Sequence, residues 1–452
     1  VIRTTLAQIA EATRGRVEGD DTLAVHGPAV VDSRRVVPGS LFVAIPGERV
    51  DGNDFVGTAL DAGAVASLAT REVPGPHVLV DEPVHALGLL ATDRLAALRR
   101  GADVTVVAVT GSQGKTSVKD LMAHVLSTRG ATVAPEGSFN NELGVPLTVL
   151  RADEGTRNLV LEMGARGIGH IATLCAIAPP DVAVVLNVGS AHAGEFGGLD
   201  RTAQAKGELV EALGPDGIAV LNADDPRVAA MASRTRGRVV TFGRAGDVRL
   251  VGDVTLDEDG YPHFVLEVDG ERYEAAVPQL GDHQAMNAAA AVAATTAAGV
   301  PVADAVAALA GAHAASPMRM ERHRTSTGAV VINDAYNANP ESMSAALRTL
   351  AELAPGRGVA VLGEMLELGE ESPDQHRRIG RLAADLGIAR VVAVGAAAAD
   401  IAEGAGPVGE SVPDVETAVT VVSASLDPDA VVLVKASRGA RLERVAEALL
   451  RD

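Results

Sequence analysis

The chain has 452 residues, 47% of them apolar, and a net charge of −20. At roughly 150 residues per domain, that length predicts about three domains with real cores, and the acidic balance excludes a nucleic-acid binder that works by neutralising phosphates. One cysteine, Cys175, excludes an intrachain disulfide and any multi-cysteine zinc site.

The first hundred residues hold short strand-like runs (VVD, SLFVAI, HVLV) split by Pro-Gly pairs, then a helical stretch from Pro83 to Arg100. They predict a small α/β domain over 1–100. From Val104 the texture changes to continuous apolar runs bounded by glycine or polar turns: VTVVAVTG, NLVLEMG, DVAVVLNVG and GIAVLNADD. Such runs alternating with helices predict a parallel sheet covered on both faces. Residues 248–278 alternate apolar and polar with Asp-Gly turns, which predicts an antiparallel hairpin insert. Two Ala-rich helices follow, from about His283 to Ala314. The middle domain is thus expected over 101–315. AVVIND, GVAVLG, ARVVAVG and AVVLVKAS then alternate with helical stretches and predict a Rossmann-like doubly wound sheet over 316–452, without a GxGxxG fingerprint. The opening segment carries no apolar core of a signal peptide, and the Ala-rich run 287–302 is broken by Gly299 and Pro301. The expectation is a cytoplasmic monomer without membrane insertion or nucleic-acid partner.

The strongest chemical signal is VTVVAVTGSQGKTSVKDLMAHVL, a buried strand, a glycine turn and an amphipathic helix. Backbone N–H groups at a helix N-terminus are a polyphosphate cradle. Thr110, Gly111, Ser112, Gln113, Gly114, Lys115, Thr116 and Ser117 would form it, with Lys115 on the terminal phosphates and Thr116 on Mg²⁺. Val109 stands where a strict Walker A pattern has glycine, so the match is to a TGxxGKT variant. Glu162 ends one of the next apolar runs, and Asn187 and His192 follow another. Strand carboxyl ends share one edge of a parallel sheet, where ligands bind. A carboxylate and an imidazole there suit a second divalent ion. Either alone would read as a solvated loop group.

Lysine occurs four times among 39 basic residues, at 115, 119, 206 and 435. In so Arg-biased a chain, a lysine marks a place that needs a compact charge or a neutral amine, since guanidinium does not lose its proton. Lys206 could pair with Glu208 or Glu211, but Arg would serve equally there. His376, His323 and the acidic run 367–371 read as solvated loop or helix-cap groups. Met318 and Met320 read as packing, and Cys175 as a buried hydrophobe.

TGSQGKT, EMG, NVGSAH, AKGEL, LNADDP, GDHQAMNAAAA and AYNANPESM together resemble the Mur ligases, ATP-dependent amide ligases of peptidoglycan synthesis. ASPMRMERH, INDAYNANPESMSAAL, VLGEMLELGEES and LVKASRG are similar to the member that adds D-alanyl-D-alanine to a UDP-muramyl tripeptide. The DNPR signature of the diaminopimelate-adding relative is missing after Ser316. The resemblance implies a muramyl-peptide domain, an ATP-binding P-loop domain and an amine-substrate domain, in that order. It implies ATP and two Mg²⁺ as cofactors, metal ligation by Thr116, Glu162, His192 and a carbamylated Lys206, and catalytic roles for Lys115, Lys206 and His192. It further implies an adenine-side Asn287, nucleotide contacts at Arg319 and Asp334, and last-domain substrate contacts at Tyr336 and Asn337. Ser33 and Arg34 would meet the uridine nucleotide, and Asn140 and Asn141 the muramyl moiety. Two positions depart from the family pattern: Asn53 where DGH is usual, and Ala436 where KGSR is usual. The rival readings are an amide ligase of the same superfamily with another amine or a folate-type acid, and a P-loop ATPase switch.

Overall fold

The strand Thr105–Thr110 explains much of the architecture. Its residues Val106 to Val109 are wholly buried, and they alternate between two cores, because successive side chains of a strand point to opposite faces. Val106 and Ala108 join one apolar cluster, and Val107 and Val109 join another. A strand apolar on both faces needs helices above and below it. The computed structural model, which describes residues 3–189, 198–313, 316–424 and 426–451, supplies them. Helices Lys115–Ser127 and His283–Ala297 cover one face, and helices Pro83–Gly101, Gly144–Val149 and Leu199–Glu211 cover the other.

That strand lies inside a nine-stranded sheet, between Asn158–Glu162 on one side and Val182–Val185 on the other. Both neighbours are parallel to it, so the chain leaves its carboxyl end at a switch point. Beyond Val182–Val185 come Ile218–Asn222 and Arg238–Gly243, again parallel. The alternating segment 248–278 does not stand apart as an insert. Its first strand, Val248–Leu256, pairs in parallel with Arg238–Gly243 at Phe242 and Val248, and Pro262–Val268 and Glu271–Ala276 continue the sheet antiparallel. Alternating apolar residues need a covered face, and Val248, Leu250, Phe264 and Leu266 find it under the Ala-rich helices.

Before this sheet, a smaller one orders Arg16–Glu18, His77–Leu79, Ala66–Ala69, Leu41–Val43 and Ala29–Val30, parallel except for the Arg16–Glu18 edge. After it, a six-stranded sheet orders Glu321–Arg324, Val330–Asp334, Val431–Lys435, Gly358–Leu362, Arg390–Val394 and Gly409–Val412. Only its Glu321–Arg324 edge is antiparallel. The helix Pro340–Leu353 that follows its first parallel strand starts on a capping box of Asn339 and Ser342, with Pro340 at the first turn where its missing N–H is harmless. No helix among the described residues is long and apolar enough to cross a membrane.

The middle and last sheets are joined at Ser316 by a buried charged knot. Lys119, 1% exposed, donates to the carbonyls of Pro135 and Gly137 and to Ser316 Oγ at 3.0–3.1 Å. Asp120 lies 2.5 Å from the same ammonium and accepts from Ser316 N–H. Removing one partner of a buried pair strands the other, at about 3–5 kcal/mol. Asp120→Ala should therefore lower the unfolding free energy, measured by urea denaturation, by an amount in that range, and adding Lys119→Met should restore part of it. A loss below about 0.5 kcal/mol, the size of an ordinary surface change, would show that the knot does not hold the join.

Candidate active site

The carboxyl edges of the two larger sheets open into one cleft, lined by the glycine turn with residues of the last sheet opposite it. Within the turn, Gly114 has φ 81°, and a Cβ there would lie 2.7 Å from Oδ1 of Asn287. The left-handed backbone favours glycine, and a larger residue would also push the Asn287 side chain aside. Asn187 shapes the turn from the neighbouring strand end: its Oδ1 accepts from the N–H groups of Ser112 and Gln113 at 2.9 and 3.0 Å, and its Nδ2 donates to the Gln113 carbonyl. Ser112 through Ser117 line the cleft, whereas Thr110 and Gly111 are buried at its base. Lys115 folds back on the Gly111 carbonyl at 2.6 Å. Burial pushes its ammonium below the ordinary lysine range, against the pull of Glu162.

Beside the turn, Thr116 Oγ1 donates to Glu162 Oε2 at 3.0 Å, and Asn140 Nδ2 donates to Oε1 at 2.9 Å. A hydroxyl next to a carboxylate is the hard-oxygen set that Mg²⁺ takes, with phosphate oxygens and waters completing its shell. The residues fit the ion. His192, the imidazole expected here, lies in 190–197, outside the described residues.

Lys206 lines the same cleft from helix Leu199–Glu211 and is 2% exposed. The two pairings open from sequence do not form. Glu208 instead accepts from the N–H groups of Gly169 and Ala172, at the start of helix His170–Ile177, and Glu211 binds Arg234. Burial first, then the nearby charge of Lys115, hold the Lys206 ammonium well below its usual range. The site favours a neutral amine.

The last sheet sends in Arg319, Tyr336 and Asn337. Arg319 donates to Thr116 Oγ1 at 3.3 Å and lies 4.3 Å above the Tyr336 ring. Arg438 covers that ring at 5.2 Å, and Ser138 Oγ donates to the Tyr336 hydroxyl at 2.5 Å. Asp334 and Asn287 face an adjoining cavity that also contains Arg319 and His283. Asp334 is committed within it: Oδ2 takes Lys435 Nζ at 2.6 Å and Oδ1 takes the Met320 N–H.

Asn141 lines the cleft and caps helix Gly144–Val149 through the N–H of Gly144. Ser33 and Arg34 are not among the lining residues. They form a 3₁₀ turn at the edge of the first sheet, where Arg34 pairs with Asp32 and holds its carboxyl down to about 2. The next residue, Arg35, reaches Glu136 at 2.7 Å, on the loop that carries Ser138 to Asn141.

Sequence reasoning passed over Ser138, marked Lys435 by lysine scarcity without giving it a role, and read Glu367 as part of a solvated acidic run. His376 is no solvated group: it is wholly buried, accepting from Met365 N–H at 2.9 Å. Losing the Asn187 side chain should free the Gln113 amide, whereas Ser112 N–H keeps its bond to the Asn187 backbone carbonyl at 3.1 Å. Asn187→Ala is expected to speed hydrogen exchange at Gln113 at least tenfold, measured by NMR on the ligand-free protein, while Ser112 changes less and core strand amides stay unchanged.

Three family models tile the chain. "Mur ligase family, catalytic domain" matches 30–102, "Mur ligase middle domain" matches 109–295, and "Mur ligase, glutamate ligase domain" matches 318–438. The UDP-N-acetylmuramoyl-tripeptide–D-alanyl-D-alanine ligase of Mycobacterium tuberculosis is 44% identical, with 100% of this chain and 98% of that one aligned. Among solved structures, MurF from Acinetobacter baumannii superposes with a TM-score of 0.89 at 30% identity over all of both chains. The MurF ligase of Thermotoga maritima in complex with ADP gives 0.80 at 33% identity, covering 94% of this chain and 97% of that one. The three-domain fold is thus shared along the whole chain with these proteins, and the chain belongs to the Mur ligase family.

Proposed function

We propose that this protein is an ATP-dependent ligase that adds D-alanyl-D-alanine to a UDP-N-acetylmuramoyl-tripeptide in peptidoglycan precursor synthesis. The observation that carries this reading is the full-length identity of 44% to a relative of that name. The cleft supports it with a phosphate turn on one side and a separate sheet opposite. In the reaction, a carboxylate oxygen of the tripeptide attacks the γ-phosphorus of ATP. The bond to the β,γ-bridging oxygen breaks, ADP leaves, and an acyl phosphate forms. The amine then attacks the acyl carbon, the carbon–oxygen bond to phosphate breaks, and the nitrogen loses its extra proton.

Most of the protein's work is positioning and charge neutralisation. Turn amides and Lys115 hold the phosphates. Thr116 and Glu162 would hold Mg²⁺, with His192 and Lys206 assigned to a second ion; when bound, such ions would supply charge screening between the two anions. Asn287 takes the adenine side, and Arg319, Asp334, Tyr336 and Asn337 act from the last domain. Ser33 and Arg34 serve the uridine nucleotide, and Asn140 and Asn141 the muramyl moiety. The corresponding domains are 1–100 for the muramyl peptide, 101–315 for ATP and 316–452 for the amine. Holding three reactants in register recovers about 7–11 kcal/mol of barrier. Consumption of ATP and a UDP-sugar fits the cytoplasm.

Lys206 enters as a carbamate. Its neutral amine adds to CO₂, forming a nitrogen–carbon bond and releasing one proton, and the resulting anion supports the second ion. Burial without an ion-pair partner among the described residues supports this, since it favours the neutral amine the reaction needs. Arg offers no such amine. Lys206→Arg should therefore be as inactive as Lys206→Ala, with acetate or formate partly restoring the alanine variant; an active Lys206→Arg would make the lysine an ordinary cation.

ADP release tests the function itself. It should be negligible with ATP alone and rapid with UDP-muramyl tripeptide plus D-alanyl-D-alanine. Meso-diaminopimelate or free D-alanine in place of the dipeptide should give little. Equal rates with all three amines would remove the assignment, and turnover without any amine would favour an ATPase switch. Lys115→Ala should keep under a tenth of wild-type ADP release while melting normally.

A further inference from the structure

Three carboxylates of the described residues line the cleft: Glu142, Glu162 and Glu367. Glu367 comes from the opposite wall, on the segment that follows strand Gly358–Leu362. It is the one acidic residue that the last sheet contributes to the lining among the described residues.

The segment is short, exposed at its tip and tied down on both sides. Ser437 N–H donates to the Glu364 carbonyl at 3.0 Å, and Ser437 Oγ accepts from Leu366 N–H at 3.0 Å. Met365 N–H donates to His376 Nε2 at 2.9 Å, while His376 Nδ1 lies 2.7 Å from the Ser372 carbonyl. With Nε2 accepting from Met365 and Nδ1 facing the Ser372 carbonyl, the ring is held on both sides. Met365 and Leu368 are buried on either side of the exposed carboxylate. Glu367 itself has φ 67°, a left-handed conformation that a non-glycine residue holds only where its surroundings demand it. Two buried polar side chains and a strained backbone together hold one carboxylate at the rim of the cleft.

The opposite wall carries the cations and amides of the phosphate turn, and Glu367 is near enough for its charge to act on Lys115. An amino acid or dipeptide reaches such a cleft as a zwitterion, with its amine protonated at neutral pH. An ammonium is repelled by Lys115 and Arg319 and needs an anion on the far side. We infer that the Glu367 carboxylate binds the ammonium of the incoming amine substrate, with His376 and Ser437 as its positioning residues. This rests on the ligase reading above and names the residue through which the amine is recognised.

The test is Glu367→Gln, which keeps the size of an exposed side chain and removes its charge. Steady-state ADP release is measured with whichever amine supports wild-type turnover in the panel above, so a wrong amine identity appears in the wild type and a wrong site only in the variant. The N-acetylated form of that amine, which has no ammonium, serves as a competitive inhibitor of both proteins. KM for the amine should rise at least tenfold, KM for ATP and for the muramyl tripeptide should stay within twofold, and inhibition by the N-acetyl compound should be unchanged. An amine KM within twofold of wild type would overturn the inference. So would a parallel rise in all three KM values, or equal weakening of the N-acetyl inhibitor.

Discussion

The cleft depends on how one guanidinium joins two sheets. Arg319 lies on the chain between the middle and last units, donates to Thr116 of the phosphate turn and stacks on Tyr336 of the last sheet. A planar cation can do both at once, where an ammonium would do only one well. Its neighbours Met318 and Met320 are both left-handed, at φ 57° and 52°, costing about 1–3 kcal/mol each. Methionines that read as packing in the sequence thus sit where the backbone turns to aim Arg319. The strain is held from both ends, by Ser316 on Lys119 and by Met320 N–H on Asp334. Tyr336 completes the join by accepting from Ser138, across 198 residues of sequence.

What was legible in the sequence was local. The strand, turn and helix around Lys115 are contiguous, and each residue type there has one conformational or chemical reason. Glu162 and Asn187 were legible as strand ends because parallel strands end on a common edge. The part Asn187 plays was not, since it depends on a side chain reaching a neighbouring strand's turn. Lys206 stood out through composition and through the AKGEL resemblance, and its burial away from Glu208 and Glu211 gives the lysine scarcity a physical basis. The lysines at 119 and 435 follow the same rule, both buried in ion pairs with Asp120 and Asp334. Glu367 and His376 were hidden because their surroundings are assembled from Ser437, Ser372 and a bent segment, none adjacent to both in sequence. The segment 248–278 was misplaced as an insert because alternation reveals a half-buried strand but not which sheet it joins.

The two departures from the family pattern are structurally compensated. Asn53 is buried and takes the place of an imidazole with a complete set of partners: Nδ2 donates to Asp51 and Thr70, and Oδ1 accepts from Thr70 N–H. Its work is to bind two segments of the first unit together. Ala436 is wholly buried, and a Cβ added to Gly363 would fall 2.7 Å from its methyl. The extra carbon at 436 is thus accommodated by a glycine on the adjacent strand's exit.

The knot at Ser316 has a mechanical consequence. Lys119 has spent all its donors on fixed oxygens, and Asp120 holds the Ser316 backbone directly. Ser316 is therefore tethered to the middle unit through both its hydroxyl and its N–H, three residues before Arg319. The guanidinium leaves a stretch of chain anchored in a buried ion pair, so its reach to Thr116 is set by that tether and not by the outer strands of the last sheet.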